Sequence, residues 1–327
     1  MDSKSTLFWS GCLVLGFLLV LQGLPAHAAM DEVASGPAMD VGVSVLPSAA
    51  APDEGRKLAE LARLFESGME ALSRQDYEAA YQALRRGAGA GYAKAQSALA
   101  GMYLRGQGVA VNLPEAVKWN RQAAEQGDPE GQAALGLMYL QGQGVDQEDE
   151  LALTWLRLAA GQGHAGAQAN LGTLYREGRG VELNESVAAD WFRQAARQGE
   201  VSAEDNIAAA FRDGRGVEKD EVEAAWWYRQ AADKGDTEAE ANLGLMYRRG
   251  QGVHQDDIEA VQWFRQAADQ GNALGEYYLG VSYMEGRGLE KDVAEGSEWL
   301  EKAVEQGLLA AQLYLRTGMP PGPADKF

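Results

Sequence analysis

Reactive side chains are scarce in this sequence, and their spacing decides what they could do. The histidines are His27, His164 and His254, and the one cysteine is Cys12. None of them sits in a His-Glu-x-x-His pattern, and the chain has neither a nucleophile elbow nor a phosphate loop. No general base, metal cluster or activated nucleophile is therefore expected. Gly-x-Gly pairs such as Gly142 and Gly144 lack the preceding strand that a dinucleotide fingerprint needs. The run Asp146-Gln-Glu-Asp-Glu150 lacks the glycine and the spaced ligands of a calcium loop, and suits the positive start of a helix. The expectation is no catalytic residue, no metal and no cofactor.

Binding chemistry is better represented. Asn170, Asn206 and Asn242 are 36 residues apart, and so are Arg176, Arg212 and Arg248. At 100° per residue, Ala167, Leu171 and Tyr175 mark one side of a helix and Thr173 points nearly opposite. Asn170 and Arg176 then flank Thr173 by about 60° on either side. The equivalent pairs are Ala98 with Leu104, Ala134 with Leu140 and Tyr278 with Met284, so a polar and basic stripe has apolar ends. Helices about 8 to 10 Å apart and a strand rising about 3.3 Å per residue match one such position to every third residue of an extended peptide. Asn both donates to and accepts from peptide backbone, and Arg prefers carboxylates. The six residues are the candidate partner-binding set. A plain reading remains beside it, in which Asn is part of the packing pattern and Arg a solvated helix-end residue.

The elements that would carry this stripe follow from one period. Gly108, Gly144, Gly180, Gly216, Gly252 and Gly288 are each 36 apart, as are Trp119, Trp155, Trp191, Trp227, Trp263 and Trp299. Tyr103, Tyr139, Tyr175, Phe211, Tyr247 and Tyr283 keep the same interval. A strict period in several residue types predicts an α-solenoid, each repeat packing on its neighbours. Six helix-turn-helix units are expected over 92–127, 128–163, 164–199, 200–235, 236–271 and 272–307, with a final helix over 308–318 and a tail to 327. First helices can start at Asp128 or Asp236 and stop at the glycine pairs. Second helices open with capping boxes: Asn112 with Glu115, Asp220 with Glu223, Asp256 with Glu259 and Asp292 with Glu295. Ala116, Ala152, Ala188, Ala224 and Ala260 let helices approach, and the tryptophans fill the space between them.

Ahead of these units, residues 56–91 read as a shorter helical hairpin. Gly68 precedes Ala80 by 12 residues where Gly136 precedes Ala152 by 16, so the later turns are longer by about four. Residues 29–55 mix Ala, Pro, Ser, Gly and Asp without period and read as a linker. Residues 1–28 read as an export signal: Lys4, an apolar run from Leu7 to Leu24, then Pro25-Ala-His-Ala28. Retention of that run as a membrane anchor is the alternative. Cleavage after Ala28 would remove Cys12 and leave no thiol. The net charge of -19 argues against nucleic acid, whose phosphates need clustered Lys and Arg.

Leu135-Gly136, Tyr139, Gly142-x-Gly144-Val145, Ala152, Trp155 and Ala159-Ala160 to Gly163 resemble the motif of the Sel-one-like repeat family, relatives of tetratricopeptide repeats. The resemblance covers residues 92–318. It implies an all-α, right-handed solenoid with a concave groove, and adaptor proteins that in bacteria are often exported to the periplasm or envelope. The Asn position resembles the asparagine ladder of peptide-binding tetratricopeptide proteins. A cysteine-rich exported branch is described as binding or hydrolysing penicillins, but no repeat here carries a Cys. The expected partner is accordingly a protein or extended peptide, not nucleic acid and not a membrane once the signal is removed.

Overall fold

The structure, a computed structural model, describes residues 52–319, so the proposed signal, most of the linker and the tail lie outside the described residues. Fifteen α-helices and no strand occur among the described residues. They are α1 (Pro52–Ser73), α2 (Tyr77–Gly89), α3 (Ala93–Arg105), α4 (Leu113–Glu125), α5 (Pro129–Gln141), α6 (Asp149–Gly161), α7 (Ala165–Glu177) and α8 (Glu185–Ala196). The series continues with α9 (Val201–Asp213), α10 (Glu221–Ala232), α11 (Thr237–Arg249), α12 (Asp257–Asp269), α13 (Ala273–Glu285), α14 (Val293–Glu305) and α15 (Leu309–Thr317). From Gly55 on they form one compact unit, an all-α solenoid in which each helix packs on the next. The turn between α1 and α2 holds residues 74–76 and that between α3 and α4 residues 106–112, a difference of four residues. Helix α1 begins at Pro52, a few residues inside the segment expected to be linker.

Within a repeat the small residues set the helix spacing. Ala116, Ala152, Ala188, Ala224 and Ala260 are all buried. Opposite Ala152, Ala188 and Ala260 the first helix offers glycine, and a Cβ on Gly172 would lie 2.7 Å from Phe192 Cε1. Where glycine stands, its bare backbone lets the large side chain of the second helix sit this close.

First helices open as expected, with Asp128 accepting from the Gly131 amide at 2.9 Å and Asp236 from that of Ala239 at 2.8 Å. His164 is the cap of α7, its Nδ1 accepting from the Ala167 amide at 3.1 Å. The second helices complete only half of the expected capping box. The amides of Glu115, Glu223, Glu259 and Glu295 do bond to Asn112, Asp220, Asp256 and Asp292. The glutamate carboxylates, however, accept from the indole nitrogens of Trp119, Trp227, Trp263 and Trp299 at 3.0 to 3.2 Å. Each cap residue's own amide is already used, donating to the carbonyl of Tyr103, Phe211, Tyr247 or Tyr283. A glutamate at this position therefore lets an indole be buried with its N–H paired, as burial demands.

Successive repeats are locked by their turns. The second glycine of each Gly-x-Gly presses on the previous repeat: a Cβ on Gly216 would lie 2.0 Å from the Glu185 carbonyl oxygen and one on Gly252 1.9 Å from that of Glu221. In three repeats the residue between the glycines reaches the same helix start. Arg179 bonds Asp149 at 2.7 and 3.1 Å, Gln251 bonds Glu221 at 3.2 Å and Arg287 bonds Asp257 at 2.9 Å. The acidic run around Asp149 thus serves a turn clamp, and the Arg179 guanidinium holds the Asp149 carboxyl below its usual range. A buried polar row completes the joint. Gln126 donates to Gln96, Gln162 to Gln132 and Gln198 to Gln168, after which Lys234 meets Glu204 and Gln270 and Gln306 meet Glu240 and Glu276.

Candidate functional site

The six residues of the stripe lie on the first helices α7, α9 and α11, and the structure ties most of them to one another across repeats. Arg176 donates to Asn206 Oδ1, and Arg212 donates to Asn242 Oδ1 at 3.0 Å. Each arginine leaves its own repeat because its side chain flanks the helix on the side of the following one. The guanidinium lies over a ring of its own second helix: Arg176 is 5.5 Å from the Phe192 centroid and Arg212 5.7 Å from that of Tyr228. Asn170 and Asn206 also donate to the carbonyls of Gly166 and Ser202, both at 2.7 Å. An amide has two protons and two lone pairs. Asn206, with one of each engaged, keeps one of each for a ligand.

Arg248 departs from the expected open position. It is only 8 % exposed, lies 4.8 Å from the Phe264 centroid and 5.6 Å from that of Tyr278, and donates to Ser282 Oγ. The cause is the next repeat, which carries Tyr278 where its predecessors carry Asn. That ring stacks on Phe264 at 5.2 Å and closes over the guanidinium. Burial then pulls the Arg248 pKa down from its ordinary value, with Arg287 adding to the effect. The accessible part of the stripe is Asn170, Arg176, Asn206, Arg212 and Asn242. Toward the ends of the face Leu104, Leu140 and Met284 are half-buried.

Two polar residues at or beneath this face are not part of the repeating pattern, Asp205 on α9 and Tyr228 on α10. Asp205 stands where other repeats place the buried Ala133, Ala169 and Ala241. Its Oδ1 is buried and receives no hydrogen bond. Tyr228 stands where others place Phe192 and Phe264, and its buried hydroxyl also lacks a partner. The available signal was a break in the period: a charge and a hydroxyl at positions that are apolar in the repeats on either side, Ala169 and Ala241 for the one and Phe192 and Phe264 for the other.

Asp205 makes stability depend on pH. Burial first, then the neighbouring charges of Asp236 and Glu238, push its pKa from 3.8 to about 6, against a smaller opposing pull from Arg212 and Arg176. Between those values the folded protein holds a proton that the unfolded chain has released, so stability falls as pH rises from 3.8 to about 6. A shift of about two units corresponds to about 3 kcal/mol at most. Asp205→Ala, the residue of the sister repeats, is expected to be more stable than wild type by about 2 kcal/mol at pH 7.5 and nearly equal at pH 4. Urea unfolding of both proteins across that range checks it; an advantage that does not grow with pH refutes it.

His164 Nε2 lies 3.1 Å from Glu130 Oε2, a contact between neighbouring helix starts, and His254 is exposed in a turn. No group of His, Cys, Asp or Glu suited to a metal occurs among the described residues. No helix among them is long and apolar enough to cross a membrane.

Comparison with known proteins agrees with the period. The Sel1 repeat profile matches residues 93–128, 129–164, 165–200, 201–236, 237–272 and 273–308. No curated protein matches the chain. Among solved structures, the chain is similar to c5321, a protective antigen of uropathogenic Escherichia coli strains displaying an SLR fold. Identity is 34 % and the TM-score 0.69, over 80 % of this chain and 57 % of that one. The chain thus spans little more than half the length of that relative. It is also similar to a Sel1 repeat protein from Oxalobacter formigenes, at 33 % identity and a TM-score of 0.67, over 73 % of this chain and 96 % of that one. With six tandem matches in the same register as its helices and glycine turns, the chain belongs to the Sel1 repeat family.

Proposed function

We propose that this protein is an exported, non-catalytic scaffold whose first-helix face holds an extended segment of a partner protein. Sel1 repeats generally mediate protein–protein interaction, and this fold is typically a scaffold. The observation that carries the reading here is the pair of cross-repeat rungs, Arg176 to Asn206 and Arg212 to Asn242. They hold amides at one-repeat intervals while leaving protons and lone pairs for a peptide backbone. Neighbouring helices about 8 to 10 Å apart suit contacts at about every third residue of an extended chain. Export rests on Lys4, the apolar run from Leu7 to Leu24 and the Ala-x-Ala site ending at Ala28.

A photo-cross-linking side chain at Thr173, between Asn170 and Arg176, is expected to capture a defined partner in cells. The same probe at Gln194, exposed on the second helix α8, is the control. Adducts from Gln194 alone would overturn the assignment of the face, and a mature protein that still begins at Met1 would overturn export with signal removal.

A further inference from the structure

Asp205 on α9 and the hydroxyl of Tyr228, buried beneath the face on α10, break the pattern of the neighbouring repeats and are left without a hydrogen-bond partner. Their positions converge. Arg212 reaches back from the end of α9 to Asn242, which brings its guanidinium beside the Tyr228 ring and within the field of Asp205. The junction between α9 and α11 therefore gathers a carboxylate, a phenol, an amide and a guanidinium. The guanidinium is already spent, on Asn242 and on Asp213 at 2.8 Å. Of the five buried side-chain atoms without a partner among the described residues, Asp205 Oδ1 and the Tyr228 hydroxyl lie at this junction, and a native fold rarely keeps such groups without a use. We propose that this junction is a subsite for one basic side chain, lysine or arginine, of the segment bound along the face, which it grips through the Asp205 carboxylate.

The proposal rests on the binding-face reading and adds the chemistry of the partner. On α9 Asp205 is half-buried, and its neighbours one turn to either side are small, Ser202 exposed and Ala209 half-buried. A long side chain can pass between them and bring its charge to the carboxylate. The field favours a cation: Asp236 and Glu238 from α11 face Asp205, while Arg212 on α9 and Arg176 on α7 oppose them and Tyr228 on α10 is neutral. The stripe of arginines alone had suggested an acidic partner. Arg176 and Arg212 are engaged within the protein, whereas the Asp205 carboxylate at this junction is an acceptor with an unmet oxygen. A carboxylate that takes up its proton near pH 6 also makes the grip weaken in acid.

The probe is a fluorescent capped peptide of alternating glycine and lysine, with a glutamate counterpart, measured by anisotropy on the full mature protein. The lysine peptide is expected to bind at pH 8, to bind at least tenfold more weakly at pH 5, and to lose at least tenfold with Asp205→Ala or Asp205→Asn at pH 8. Asp190→Ala, which removes an exposed charge on α8, controls for the overall acidity and should change binding less than twofold. Because Asp205→Ala is expected to be the more stable protein, unfolding cannot imitate the loss. Failure of the lysine peptide to bind, equal losses from Asp205→Ala and Asp190→Ala, or tighter binding of the glutamate peptide would each overturn the subsite. If Thr173 still captures a partner in any of those cases, the face stands and only its basic subsite falls.

Discussion

Gly252→Ala is expected to lower unfolding stability by about 2 to 5 kcal/mol, although it adds a single methyl group to a turn. Two penalties combine. The backbone there is left-handed, with φ +66°, which costs a residue bearing a Cβ about 1 to 2 kcal/mol. The new Cβ would also lie 1.9 Å from the Glu221 carbonyl oxygen, and backbone cannot give way as a side-chain tip does. Overpacking of this kind costs about 1 to 3 kcal/mol, through retreat of the turn or of the α10 start. Gly235→Ala separates the two contributions, since φ is +86° there and nothing lies within 4 Å of the new atom. It should cost only about 1 to 2 kcal/mol. Urea unfolding followed by circular dichroism measures both, and equal losses would show that the close approach between repeats contributes nothing.

Trp227→Ala carries the second large effect. The indole is 6 % exposed at the centre of the core shared by α8, α9, α10 and α11, with its N–H given to Glu223. Truncation should cost about 3 to 5 kcal/mol through the cavity left behind. Its neighbour in sequence provides the contrast. Trp226 is 50 % exposed and meets Trp227 edge-on at 4.5 Å, so Trp226→Ala should cost about 1 kcal/mol, the worth of a ring pair. If thermal or denaturant unfolding ranked the two variants equally, the tryptophan period would not be what builds the core.

The architecture was legible in the sequence because one packing solution is repeated, and errors of reading cannot accumulate when each unit repeats the last. Glycine pairs and alanines kept their expected places, while of the six tryptophans Trp227 and Trp263 are buried as expected and Trp119, Trp155, Trp191 and Trp299 are half-buried. Pairings between side chains were less legible. A helical wheel puts Asn206 and Arg212 on the two flanks of one face, yet each bonds to a different neighbouring repeat, which one helix viewed alone does not reveal. The Glu115 type of position fitted two partners, and the choice of indole over cap amide depends on the tyrosine carbonyl occupying that amide. Arg248 needed the next repeat as well, since its burial comes from Tyr278. Asp205 and Tyr228 were visible only as exceptions, and a search for what recurs passes over them.

The turn clamps carry a consequence for length. The longest hydrogen bonds between repeats run from Arg179 to Leu140 and from Arg287 to Arg248, each 39 residues, hardly more than one period. Cutting the chain at any phase and splicing in a further 36 residues would hand every clamp a partner of the same kind, so the array can lengthen or shorten by whole units. A single inserted residue has no such freedom, because it moves a glycine off the carbonyl it must face. The molecule works as a ruler whose number of divisions is open and whose division is not.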